Sequence, residues 1–178
     1  MGATVTTTQI PGYVQATWDI DSVHSEVEFT VRHMGVGKSR GRFGSFRGEI
    51  VTGETLEQSS VTATIDATSV DTGNADRDAH LRNSDFLDTD RFPTAEFRST
   101  GVRRDGEDYV IDGEFTLHGV TKPVSLTTEL GGFSAEGLLG LSAKTTINRT
   151  DFGVGPDGGA MVGEKVTITL EIEAQLRS

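Results

Sequence analysis

Hydrophobic and polar residues alternate along most of this chain. The clearest runs lie between Ser25 and His33 and at residues 166–176, where every second residue is apolar and the residues between them are Thr, Glu, Gln or Arg. Successive side chains of a β-strand point to opposite faces, so this spacing is typical of strands with one buried and one solvated face. The pattern therefore predicts an all-β protein.

Further apolar rows extend the same interpretation through the middle of the chain. They begin at Val61, Tyr109, Val124 and Leu139, and a hairpin turn is predicted at 104–106. Between residues 40 and 50 the apolar phase slips, because Phe43 and Phe46 are an odd number apart, and a bulge near Gly44 would return both to one face. Many short strands with one apolar face each favour an antiparallel sheet of eight to ten strands that closes into a barrel.

One stretch, residues 75–97, departs from the alternation and reads as a short helix followed by turns. Asn74 suits an N-cap, acidic residues occupy the first turn, and His80 and Arg82 fall in the last. A helix this short and polar needs a larger surface to pack on, so we expect an insertion that covers the barrel. Arg77, Asp78 and Arg82 are predicted to hold it in place as an ion-pair network.

Length and composition fit one soluble domain. We place a flexible N-terminal tail at residues 1–13 and the barrel domain at 14–178, with 22 glycines in the chain for its many turns. The net charge of −11 argues against binding nucleic acid or anionic lipid headgroups, which require clustered Lys and Arg. No segment is long and apolar enough to span a membrane, and residues 1–17 lack the basic and apolar parts of a secretory signal, so we expect a cytoplasmic protein.

Short motifs of enzymes and metal sites occur in the chain, but their contexts do not support them. Asp71-Thr72-Gly73 matches one aspartic protease triplet without a second copy, and the Gly153-x-Gly155-x-x-Gly158 spacing contains Pro156 and precedes a strand instead of a helix. The four histidines are not spaced as a local zinc pair. We expect no metal, no cofactor and no catalysis. A hydrolase that uses Asp71, Asp78 and His80 of the insertion stays open as the alternative.

A series of motifs, in order from Trp18 to Ile172, resembles the YceI-like, polyisoprenoid-binding family. They include Trp18-x-Ile20-Asp21-x-x-His24-Ser25, Phe29-x-Val31-x-His33, Arg77-Asp78-x-His80-Leu81-Arg82, Phe92-Pro93-x-Ala95-x-Phe97 and Ile147-Asn148-Arg149-x-Asp151-Phe152-Gly153. The resemblance implies an antiparallel lipocalin-like β-barrel of about eight strands with a short helical insertion. It also implies that the interior binds a long isoprenoid lipid, a polyprenyl chain or an isoprenoid quinone, for storage or transport.

The ligand-binding residues predicted on this basis are inward apolar side chains of the strands and of the insertion. They are Phe29, Val31, Phe43, Phe46, Ile65, Leu81, Phe86, Phe97, Phe115, Leu126, Leu139 and Ile168. The expected partner is the isoprenoid lipid, without nucleic acid and without stable membrane insertion. A homodimer through a strand edge or a loop is left open.

Overall fold

The structure is a computed structural model that describes residues 10–157 and 162–178. These ranges contain eleven β-strands and one α-helix. In chain order they are β1 (Ala16–Ile20), β2 (Glu26–His33), β3 (Gly37–Phe43), β4 (Phe46–Thr52), β5 (Ser60–Asp66), β6 (Val70–Asp71), α1 (Ala75–Arg82), β7 (Thr94–Asp105), β8 (Asp108–Leu117), β9 (Val120–Phe133), β10 (Leu138–Asn148) and β11 (Val162–Leu176).

Eight of the strands form a closed antiparallel ring. Its order is β1, β4, β5, β7, β8, β9, β10 and β11, and it closes where Trp18 of β1 pairs with Leu176 of β11. The first part of β11 pairs instead with β2, which carries β3 and β6 beside it. The predicted all-β barrel of about eight strands with one short helix is confirmed.

One end of the barrel is filled by side chains. Trp18 is only 1% exposed and packs in a cluster with Ile50, Leu139 and Ala174. Its indole N–H donates a 3.0 Å hydrogen bond to the hydroxyl of Thr52, so the one polar group of the ring has a partner despite its burial. Packed side chains therefore close this end of the barrel.

β3 and β4 are two separate strands, where the sequence predicted one continuous strand with a bulge. Gly44 and Ser45 separate the two strands, and the backbone amide of Gly44 donates to the carbonyl of Ser69. The bulge was therefore a wrong prediction, because β3 pairs with β2 and β6 while β4 pairs with β1 and β5. The predicted consequence is nevertheless correct, since Phe43 and Phe46 both face the interior.

The turn between β8 and β9 contains only two residues. It consists of His118 and Gly119, both with positive φ, and Pro123 lies inside β9. Pro123 has no N–H to donate, which is tolerated because the pairing of β10 with β9 does not extend beyond the Lys144–Thr127 pair. The wall thus has a seam between the first residues of β9 and the last of β10.

Residues of the predicted tail are attached where they are described. The hydroxyl of Tyr13 donates a 2.7 Å hydrogen bond to the carbonyl of Gly53, and its ring contacts Phe133 edge to face at 5.1 Å. Residues 1–9 lie outside the described ranges. Within those ranges, no helix has the length and apolar character that crossing a bilayer requires.

Candidate functional site

A cavity of about 210 Å³ occupies the half of the barrel opposite the filled end. Eleven of the twelve predicted binding residues contribute to its wall: Phe29, Val31, Phe43, Phe46, Ile65, Leu81, Phe86, Phe97, Phe115, Leu126 and Ile168. The positions of the strand residues among them follow from the period-two alternation, which turns every second side chain of a strand inward. Leu81 and Phe86 come from the insertion instead. The role of all these residues in binding a ligand stays a prediction.

Leu139 is the predicted residue that does not line the cavity. It is 2% exposed and lies in the cluster around Trp18 at the filled end. The strand register explains this position. Leu139 of β10 pairs with Ala174 of β11, and Leu176, two residues further along β11, pairs with Trp18 of β1. Leu141, the next inward residue of β10, reaches the cavity instead.

Aromatic rings line part of the cavity, and one of them packs against a glycine of the neighbouring strand. Phe29 and Phe43 have ring centroids 5.5 Å apart, and Phe115 meets Phe152 edge to face at 5.6 Å. The ring of Phe29 lies over Gly41, its cross-strand partner, where any Cβ would overlap it. The absence of a side chain at position 41 lets the ring lie flat against the wall and keeps the space inside open.

The insertion places three apolar side chains over the cavity. Leu81 of α1, together with Phe86 and Leu87 of the following turns, lines it from this side. The helix begins as predicted at Asn74, whose side chain accepts a 3.0 Å hydrogen bond from the amide of Arg77. We call residues 73–92 the lid.

The lid is held by hydrogen bonds to Thr72, and the predicted ion-pair network was wrong. Asp78 is buried and accepts from the amide and the hydroxyl of Thr72, while Arg77 donates to the hydroxyl and the carbonyl of the same residue. Arg82 donates to the carbonyl of Thr68 at 3.4 Å. The charged side chains therefore bind polar groups of the preceding segment and not one another.

Arg149 is a site residue that the sequence analysis did not single out. Its side chain is 4% exposed, borders the cavity, and donates to the carbonyls of Val154, Pro156, Val162 and Gly163 at 2.8–3.0 Å. These bonds tie the segment after β10 to the start of β11. The family motif Asn148-Arg149-x-Asp151 was the available signal, although an arginine next to a sequence of turn residues gives no sign of burial by itself.

A second link crosses the seam between β9 and β10. A ring nitrogen of His118, in the β8–β9 turn, lies 3.0 Å from the carbonyl of Phe152, and the His118 ring contacts Phe92 at 4.9 Å. Phe152 is almost fully buried. The turn, the lid and the segment after β10 therefore meet above this part of the cavity.

The enzyme and dinucleotide motifs fit structural roles. Asp71 is exposed, its carboxylate accepts from the amide of Gly73 in a tight turn, and it lies 3.7 Å from Arg42. His80 approaches Asp85 at 3.4 Å on the exposed side of α1. Asp71, Asp78 and His80 do not bring their ligand atoms within 4.8 Å of one another. Gly153 ends a single 3₁₀ turn, and residues 154–157 form no helix of the kind that a pyrophosphate site needs. Gly158 lies outside the described residues.

One histidine does meet two carboxylates, which the spacing of the histidines did not predict. His24 Nδ1 lies 2.7 Å from a carboxylate oxygen of Asp21 and 3.6 Å from one of Glu173. The hydrogen bond that His24 donates to Asp21 is the main cause that raises the pKa of His24, and the charges of Asp21 and Glu173 add to it. The same bond is the main cause that lowers the pKa of Asp21. Gln175 also donates to Asp21, so the cluster joins the β1–β2 turn to β11.

These features define a closed β-barrel with an apolar internal cavity and a helical lid. Residues 18–174 match the YceI-like domain, and the chain belongs to this family. Among its relatives, protein YceI of Escherichia coli is 38% identical over 164 residues, which cover 87% of this chain and 83% of that protein.

Solved structures share the barrel. BcnA of Burkholderia cenocepacia superposes with a TM-score of 0.81 at 23% identity, covering 88% of this chain and 99% of that one. A polyisoprenoid-binding domain from Saccharophagus degradans, implicated in plant cell wall breakdown, gives a TM-score of 0.73 at 17% identity and covers 92% and 100% of the two chains. At these identities the likeness establishes the fold.

Proposed function

We propose that this protein binds an isoprenoid lipid in the barrel cavity, as a polyprenyl chain or an isoprenoid quinone, and stores or carries it without catalysis. The observation that carries the proposal is the continuous apolar wall from the lid to the middle of the barrel. Glu28, Thr145 and Arg149 are the polar residues among the described residues that line it. A wall of this kind recognises hydrocarbon by shape and length.

The energetics favour an occupied cavity. Each CH₂ group of a ligand that leaves water contributes about 0.8 kcal/mol, so a few isoprene units suffice for strong binding. An apolar cavity gives water few hydrogen-bond partners, so a hydrocarbon that enters it displaces no tightly bound water. Arg149 already donates to four backbone carbonyls, and binding of a hydrocarbon tail does not require those bonds to break.

The relationship to known proteins supports the isoprenoid class in particular. The Saccharophagus degradans domain that shares this fold is a polyisoprenoid-binding domain. The methyl branches of an isoprenoid chain suit a wall built of Phe rings and β-branched residues, because both present irregular apolar surfaces.

The direct test is to identify what the purified protein contains. We expect organic extraction and mass spectrometry to yield a prenol, prenyl phosphate or quinone with repeating C₅ spacing, in substantial molar ratio to protein. If the extract is clean and added isoprenoids leave the melting temperature unchanged, the proposal is wrong.

A pair of variants on β11 tests the location of the ligand. Ile168→Glu places a carboxylate in the cavity wall, where an unpaired charge is strongly unfavourable, and the lipid should be lost. Thr167→Glu is the matched control, because Thr167 neighbours Ile168 on β11 and its side chain faces outward. Retention of lipid in both folded variants would show that it binds outside the barrel.

A further inference from the structure

One stretch of this acidic chain carries positive charges without negative ones, and four of these cations lie on the β2–β3 hairpin: Arg32, Lys38, Arg40 and Arg42. Residues 29–48 contain five of its 16 Lys and Arg residues and no Asp or Glu, although the whole chain has a net charge of −11. Most of this stretch is the hairpin of β2 and β3. Net charge alone therefore misrepresents this surface.

The hairpin aligns like charges on its outer face. Arg32 of β2 pairs directly with Lys38 of β3, and Arg40 is opposite Thr30 in the next outward pair. Like charges directly opposite across a strand pair destabilise a sheet. Within residues 10–157 and 162–178 no ion pair offsets Arg32, Lys38 or Arg40, whereas the neighbouring Arg42 has Asp71 at 3.7 Å.

The tip of the same hairpin exposes two apolar side chains. Residues 34–36 connect the strands, with Met34 59% and Val36 88% exposed. Neither side chain reaches the core, so their burial requires a surface outside the described residues. An apolar tip flanked by cations is the pattern by which a peripheral segment binds at a lipid interface.

The hairpin also borders the cavity. Val31, one residue before Arg32, lines the cavity, and His33 at the end of β2 pairs with Val162, which lines it too. A surface that bound at this hairpin would lie beside the half of the barrel that holds the cavity, and away from the filled end around Trp18.

We infer that the β2–β3 hairpin docks the protein on an anionic lipid bilayer, with Met34 and Val36 entering the headgroup region and Arg32, Lys38 and Arg40 contacting lipid phosphates. Charges farther than about 10 Å are screened at 0.1 M salt, so the acidic remainder of the chain opposes this contact only weakly. The acidic residues nearest on the neighbouring strands are Glu28, Asp71 and Glu164. Glu28 and Asp71 are both cross-strand neighbours of Arg42.

This inference goes beyond the proposed function, because docking does not require a ligand in the cavity. It differs from the expectation that the protein avoids anionic headgroups, which rested on total charge. Docking on the surface of a bilayer would place the cavity close to the hydrocarbon region, in which apolar chains dissolve.

The test is co-flotation with vesicles that contain no isoprenoid, so that its result is independent of the cavity. We expect the wild-type protein to float with vesicles of equal phosphatidylglycerol and phosphatidylcholine at about 0.1 M salt, where the acidic remainder of the chain is screened, and not with pure phosphatidylcholine. Arg32→Gln with Lys38→Gln should lower the partition coefficient about thirtyfold, since each cation contributes about a fivefold gain at an anionic surface. Lys122→Gln with Lys144→Gln, exposed lysines on β9 and β10, is the control with the same net charge.

A second pair of variants separates a bilayer from a soluble polyanion. Val36→Ser should weaken flotation severalfold, whereas Val23→Ser, 85% exposed at the opposite end of β2, should leave it unchanged. The inference is wrong if the wild-type protein does not float, if the Lys122 and Lys144 control loses as much as the hairpin variant, or if Val36→Ser has no effect. The last result would assign the basic face to a soluble anionic partner.

Discussion

Asp78 Oδ1 accepts hydrogen bonds from both the backbone amide and the side-chain hydroxyl of Thr72, at 2.8 and 2.5 Å. Thr72 directly follows β6, and Asp78 lies in the first half of α1, so this pair fastens the helix to the end of the sheet. The same threonine accepts from Arg77 Nε at 2.8 Å. One side chain of the sheet edge therefore positions two successive residues of the lid.

Asp78→Ala should loosen the lid without unfolding the barrel. Hydrogen bonds to a charged group contribute about 1.5–3 kcal/mol, and Asp78 is 8% exposed, so their loss is weakly compensated by water. Hydrogen exchange should accelerate in residues 73–92 while the amides of β8 and β9 stay protected. Asp76→Ala is the control, because Asp76 has the same charge in the same helical turn but is exposed. Equal loss of protection in every strand would instead make the lid part of the global folding unit.

Gly41→Ala should reduce the capacity of the cavity. A Cβ at this position overlaps the ring of Phe29, and the ring has the cavity on its other side, so it moves inward. For each CH₂ group of a bound chain that is excluded, affinity should fall about fourfold. Titration with isoprenoids of increasing length should show the loss.

The control for this variant is Gly44→Ala, because a Cβ there meets no atom within 4 Å. If both variants bind every chain length like the wild-type protein, the ring of Phe29 does not limit the binding space.

The Asp21–His24 pair predicts a window of pH in which the β1–β2 turn is most stable. The folded-state pKa of His24 is raised above its ordinary 6.5, so its contribution is complete below 6.5 and is lost as pH rises through the folded value. The pKa of Asp21 is lowered from 3.8, so its contribution is present above 3.8 and is lost as pH falls through the folded value. Stability relative to His24→Gln should therefore be greatest between about pH 4 and 6.5.

Histidine resonances in an NMR titration provide the measurement. His24 should titrate above 6.5 in the wild-type protein and closer to 6.5 in Asp21→Asn, which removes the carboxylate that contributes most to the shift. A wild-type midpoint at or below 6.5 would contradict the ion pair.

The sequence predicted which face of each strand is buried far better than where along the barrel each residue lies. Alternation assigns Leu139 and Leu141 to the same inward face, and both are inside. Height along the barrel depends on register between strands, such as the pairing of Leu139 with Ala174, and no local pattern encodes that pairing. This is why Leu139 lies in the filled end and Leu141 in the cavity.

Polar contacts of the site were the least predictable part. The short side chain of Thr72 fits many turn positions, and charge spacing suggested direct pairing of Arg77, Asp78 and Arg82 instead. Arg149 is buried because backbone carbonyls that lie 5 to 14 residues after it, on the loop and the start of β11, converge on its guanidinium. This convergence depends on how the loop folds, and the spacing of residues in the sequence does not show it.

The double partnership of β11 has a consequence for how the cavity comes to exist. This strand pairs with β10 along one edge and with β2 and then β1 along the other, so it joins strands from the two ends of the chain. Such distant pairings form late, because a long loop must be ordered before any contact compensates for it. During synthesis the ring stays open until β11 leaves the ribosome, and the apolar faces of ten earlier strands have no completed interior. We expect a chain that stops before Val162 to recruit chaperones and to hold no lipid, since the cavity proposed to bind the lipid is completed by β11, the last strand of the ring in chain order.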